Sequence, residues 1–237
     1  MSVFTWISIF ALGAMVMNGI GILTIYKNKE FAERNKTYFI CFAAGVLIAA
    51  PLVGALPEAF EKSRSAGSFA LVGFLFMFFS NKYIKYKTQE KELAFGITAI
   101  EGIGIHSFID GIIYSVTFSA ATMTGVLAGI GLVAHEFAEG VIVFSVLIKA
   151  GQSSQKAAFY GFIVAGLTTP LGAFLVYPIV HRLPETSLGL ALGFVSGVLI
   201  YISASHLLPE AREHEKNHSH VAFVLGILFV VGMSFLE

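Results

Sequence analysis

Eight apolar runs, each close to the length needed to cross a bilayer, fill almost the whole sequence and leave only short polar breaks between them. A helical span needs about 20 mostly apolar residues. The runs fall at roughly 4 to 26, 37 to 57, 68 to 84, 93 to 116, 123 to 148, 157 to 180, 187 to 208 and 221 to 236. The breaks are KNKEFAERNK, EAFEKSRSAG, NKYIKYKTQEKE, a TFSAAT turn, KAGQSSQK, HRLPET and PEAREHEKNHSH, none long enough for a second domain. With 56% hydrophobic and 13% charged residues, an ordinary soluble domain is excluded. The fold expected is an all-α polytopic membrane protein. The opening MSVFTW has no basic leader, so the first run reads as a retained span. The single cysteine, Cys41, excludes an internal disulfide and is expected to be a buried thiol.

Basic residues set the orientation, because Lys and Arg near span ends accumulate on the cytoplasmic side. The first, third, fifth and seventh connections hold twelve of them, and the opposite side holds only Lys62, Arg64 and Arg182. Both termini are therefore expected outside the cytoplasm. These loops serve as topology signals, and no nucleic-acid binding is expected of them.

The chain repeats itself. GVLIAAPLVGALPEAFE at 45 to 61 and GVLIYISASHLLPEARE at 197 to 213 share nine identities in seventeen without a gap. They lie in spans two and seven and so cross the membrane in opposite senses, as in the inverted repeats of many transporters. The predicted arrangement is 3+2+3, with repeat halves 1–92 and 157–237 around central helices 93–148 that have no partner in the repeat.

Ionisable residues fall on that central pair. A charge at the bilayer centre costs about 3 kcal/mol on insertion scales, so such residues mark a pathway or a site. His106 lies about 13 residues, or roughly 20 Å, from the inner end of span four. His135 sits at a similar depth on the antiparallel span five. His106 with Asp110, and His135 with Glu139, are each four apart and share a helix face. Two imidazoles and two carboxylates suit Zn²⁺ or another divalent first-row ion, and the lack of sulfur ligands disfavours copper(I). Glu136, about 100° round the helix from His135, is a candidate fifth ligand or a partner behind the ligands. Glu101 points away from His106 and Asp110 and is expected to serve another contact.

At these residues the chain resembles the ZIP family of divalent-metal transporters. HSFIDG on span four matches that family's His-Asn-x-x-Asp/Glu-Gly pattern. HEFAEG on span five matches its His-x-x-Pro-Glu-Gly or His-Glu-x-Pro-His-Glu pattern. The resemblance implies transport of Zn²⁺, or of Fe²⁺, Mn²⁺, Co²⁺ or Cd²⁺, towards the cytoplasm through His106, Asp110, His135 and Glu139. The ion would be a substrate, with no cofactor and no enzymatic activity. Three positions depart from the family: Ser107 replaces Asn, Ala138 replaces Pro, and Thr169 stands where many members have Glu. Because the Asn and Glu positions help to build a second metal site in that family, one ion at the midplane rather than two is the expectation here.

Other residues receive weaker expectations. Glu58 and Glu61 end span two on the outer side and are candidates for gathering cations at an entrance. His206, Glu210 and His214, with Glu213, would receive them at the exit. Pro51 and Pro170 mark places to bend in spans two and six. Gly125, Gly129, Gly161 and Gly193 are expected to let helix backbones approach. Expected partners are divalent ions and the bilayer of a cell membrane, with a homodimer as the candidate assembly. An intramembrane zinc hydrolase is the rival reading, since HEFAE differs from His-Glu-x-x-His by Glu139 in place of the second His.

Overall fold

A computed structural model describes the backbone of residues 1–88, 92–213 and 218–235. Among the described residues the chain forms eight helices: α1 (Val3–Lys27), α2 (Lys29–Lys62), α3 (Ala66–Thr88), α4 (Glu92–Ala120), α5 (Thr122–Lys149), α6 (Ser154–Val180), α7 (185–213) and α8 (Ser219–Ser234). Six of them are long and apolar enough to cross a membrane, α4 being so from Ile103 onward. The protein is a polytopic membrane protein. Two helices fall short of that measure for visible reasons: α8 has only 16 residues, and the apolar part of α3 gives way to Asn81 and Lys82.

The first polar break is shorter than the sequence suggests. Only Asn28 leaves helical geometry, and its side-chain oxygen accepts from the Phe31 N–H at 3.0 Å to start α2 at Lys29.

Three helices contain a π turn: Pro51–Ala55 in α2, Phe162–Gly166 in α6 and Ser203–Leu207 in α7. Proline explains all three. A proline has no N–H to offer the carbonyl four residues back. For Pro57, Pro170 and Pro209 that carbonyl belongs to Val53, Gly166 and Ser205, each inside a π turn. The following residue bonds one position further back, as Leu56 does to Pro51, Leu167 to Phe162 and Leu208 to Ser203. In α2 the bend therefore traces to Pro57 as well as to Pro51. The turns in α2 and α7 occupy equivalent positions of the repeated segment.

Packing arranges the helices in two groups, α1, α4, α5 and α6 in one and α2, α3, α7 and α8 in the other, joined by an extensive contact of α2 with α5. Within each group, pairs of glycines press reciprocally on carbonyls of the facing helix. Gly21 meets Phe137 O while Gly140 meets Asn18 O, joining α1 to α5. Gly111 meets Thr169 O while Gly172 meets Phe108 O, joining α4 to α6. The pair Gly45 and Gly226 joins α2 to α8 in the same manner, and Gly73 and Gly197 join α3 to α7. A side chain at any of these positions would strike backbone. Where α2 crosses α5, between the groups, Gly131 faces the Leu47 and Val46 side chains instead.

The glycines singled out in the sequence behave unequally. Gly193 does admit backbone, that of Ala66, and Gly161 lies against the Val143 side chain. Gly125 and Gly129 instead make room for the rings of Phe118 and Phe10. Cys41 is buried.

Candidate metal centre

His106 and Asp110 project from α4, and His135 and Glu139 from α5, each pair one turn apart on its helix. Among the described residues these four can offer ligand atoms that all lie within 4.8 Å of one another. Asp110 Oδ2 is 3.6 Å from His106 Nε2 and 3.4 Å from His135 Nε2. Glu139 Oε2 is 3.4 Å from His135 Nε2, and the two Nε2 atoms are 3.4 Å apart. Tetrahedral ligands about 2.1 Å from a zinc ion are about 3.4 Å from one another. The four separations of 3.4–3.6 Å match that spacing.

Hydrogen bonding around the four leaves them in a state suited to hold a metal ion. His135 Nδ1 lies 2.7 Å from the Leu132 carbonyl, so this nitrogen donates and the lone pair sits on Nε2, facing the other three. Ser107 Oγ donates to Glu139 Oε1 at 2.6 Å and leaves Oε2 directed inward. Neither Asp110 oxygen, nor Glu139 Oε2, has a hydrogen-bond donor among the described residues, although Asp110 is 0% and Glu139 7% exposed. A buried carboxylate oxygen left unpaired is costly. A cation between the two helices would satisfy all of them at once.

Glu136 is only 1% exposed but takes part in a different arrangement. Its Oε2 accepts from Asn18 Nδ2 of α1 at 2.9 Å, and its Oε1 accepts from Thr169 Oγ1 of α6 at 3.0 Å. Asn18 was missed in the sequence, though one amide inside an apolar run is itself the signal of a buried polar contact.

The remaining candidates are scattered. Glu58 pairs with Lys62 at 3.0 Å, and Lys62 also reaches Glu185 at 2.7 Å, joining the ends of α2 and α7. Glu61 is exposed. The side chains of Glu101, His206, Glu210 and Glu213, and the whole of His214, lie outside the described residues.

One and two turns beyond Asp110, toward the C-terminal end of α4, Tyr114 and Phe118 join a cluster of rings. Trp6 stacks on Phe118 with centroids 6.2 Å apart, and Phe10 touches both Phe118 (5.1 Å) and Tyr114 (6.2 Å). On the other side of Asp110 lies His106, the least buried of the four at 19%.

Comparison with known proteins agrees with these features. The family model described as "ZIP Zinc transporter" matches residues 88–235, over half of the chain, including the four residues on α4 and α5. This protein belongs to the ZIP zinc transporter family. Relatives include the "Zinc transporter ZupT" of Chlorobium chlorochromatii, 28% identical over 95% of this chain and 94% of that protein. The "Zinc transporter ZupT" of Streptococcus mutans is likewise 28% identical, over 94% of each. A shorter match joins 57% of this chain to 28% of the mouse "Metal cation symporter ZIP14", at 31% identity. Membership in this ZIP family places the chain among transporters, and the hydrolase reading is set aside.

Proposed function

We propose that this zinc transporter carries Zn²⁺ across the cell membrane toward the cytoplasm, with His106, Asp110, His135 and Glu139 holding the ion midway. The carrying observation is the gathering of four ligand atoms within 4.8 Å of one another, around carboxylate oxygens that lack donors among the described residues. A hydrolytic zinc needs an open coordination position. Here two imidazoles and two carboxylates supply four ligands, which suits an ion in transit.

Eight spans in a 3+2+3 inverted repeat, with halves 1–92 and 157–237 around 93–148 and both termini outside, are the topology we propose. The equivalent π turns of α2 and α7 support it, as do the reciprocal glycine contacts. Exchanging α1 with α6, α2 with α7, α3 with α8 and α4 with α5 turns each glycine-bonded pair into another: α1/α5 becomes α6/α4, and α2/α8 becomes α7/α3. Under that exchange the central helices are partners of each other, and HSFIDG corresponds to HEFAEG.

Alternating access then follows from the packing. Backbone-to-glycine contacts lock the helices in pairs within each group, whereas side chains meet across the α2/α5 crossing. The group carrying the ligands shifts against the other. In the proposed orientation the Trp6, Phe10, Tyr114 and Phe118 rings lie toward the outer side of the ligands, and His106 faces the cytoplasmic side. This is the arrangement of an ion about to be released inward.

The test is uptake by purified protein in sealed liposomes enclosing a metal-sensitive dye, across Zn²⁺, Fe²⁺, Mn²⁺, Co²⁺ and Cd²⁺. Zinc entry that disappears in His106→Ala is expected. Undiminished entry in that variant would refute the pathway.

A further inference from the structure

Glu136 stands next to His135 yet turns toward α1 and α6, while the four ligands turn toward each other. Each of its oxygens receives one donor, and the donors come from two different helices that flank α5. Facing a carboxylate, the amide of Asn18 serves in this sense, since reversing it would set two oxygens against each other. Its own Oδ1 is left without a donor among the described residues. Asn18 and Thr169 are also equivalent in the helix packing, each being the residue whose carbonyl seats a glycine of the central pair. The same exchange relates Ser107 to Glu136, and Ser107 is a neutral hydroxyl that supports Glu139. Close to the four ligands the chain thus places one extra carboxylate, closed off by neutral donors.

We propose that Asn18 and Thr169 act in place of a second metal ion. They are positioning residues whose donors satisfy Glu136, keep its carboxylate out of the ion's coordination, and limit this site to one divalent cation per chain. The inference rests on the four-ligand reading above, and it makes Glu136 a brace between α1, α5 and α6 rather than a fifth ligand.

The test counts zinc bound to the purified full-length protein and measures its affinity by calorimetry and metal analysis, using Zn²⁺ alone as the probe. About one ion per chain is expected for the natural protein. Glu136→Gln should keep that count and an affinity within about threefold, whereas Glu139→Gln should weaken binding by about tenfold or more. Because Glu136→Gln could fail to fold, Asn18→Asp provides an independent arm. It replaces a donor by a carboxylate facing Glu136 across a contact of 2.9 Å, and two buried carboxylates so close need a proton or a cation between them, so the count is made at saturating Zn²⁺ and alkaline pH, where the cation is favoured. That variant should bind two ions. Two ions in the natural protein, a loss in Glu136→Gln equal to that in Glu139→Gln, or a single ion in Asn18→Asp would each overturn the proposal. Zinc binding that survives His135→Ala would instead refute the four-ligand reading, so the two failures are distinguishable.

Discussion

Two buried polar clusters share helix α5, and they solve the burial of negative charge in opposite ways. Around Glu136 both carboxylate oxygens find donors within the protein, from Asn18 and Thr169. Around His106, Asp110, His135 and Glu139, three carboxylate oxygens find none among the described residues. One cluster is complete as folded; the other would be completed by a cation. In a membrane interior, where water is not at hand to satisfy polar atoms, unmet demand is a better guide to an ion site than the mere presence of an acid. Sequence spacing sets Glu139 on the face of His135 but leaves Glu136 open as a fifth ligand or a partner behind the ligands.

Mutations can break or sharpen this contrast. The largest effect is expected from Asp110→Asn, which removes the charge in contact with both imidazoles: zinc binding should weaken by about a hundredfold or more and liposome uptake should cease, as measured by calorimetry and dye signal. Ser107→Ala comes next. It strips the hydroxyl that orients Glu139, and losses from such supporting groups are typically about 10- to 100-fold in metal affinity.

A smaller effect of a different kind is expected from Thr169→Val. It leaves Glu136 Oε1 without its donor, so the protein should lose about 1–3 kcal/mol of stability in a thermal or denaturant assay while zinc affinity changes little. A large affinity loss here would erase the distinction between the clusters. The least effect is expected from Lys62→Gln, at the ends of α2 and α7 far from either cluster in sequence. Partly exposed ion pairs contribute at most about 1 kcal/mol, and uptake should stay within about twofold. A marked rise in uptake would instead show that Lys62 holds Glu58 back from gathering cations.

Much of this was legible in the chain. Run lengths and the positive-residue bias, which are consequences of bilayer thickness and charge, define helices and a proposed orientation. The i,i+4 spacing of His106 with Asp110 and His135 with Glu139 puts each pair on one stripe, and the structure brings the stripes together. Less legible was whatever depends on approach between distant helices. Asn18 is 118 residues from Glu136, so no local pattern could show that an amide in α1 closes off an acid in α5. Gly125 and Gly129 read as helix-packing glycines, yet the space they leave is taken by aromatic rings, because small-residue spacing encodes a groove without naming its occupant. The π turns were legible only in part: Pro51 and Pro170 were read as places to bend, but the role of Pro57 and Pro209 emerges once the carbonyl four residues earlier is considered.

The claim that the four residues on α4 and α5 hold the transported ion can be tested by X-ray absorption at the zinc edge of the loaded, purified protein. The account predicts a four-coordinate shell of two imidazole nitrogens and two carboxylate oxygens at about 2.0–2.2 Å, unchanged in Glu136→Gln and lost in His135→Ala. A shell with fewer than two imidazoles, or one that persists in His135→Ala, would contradict it.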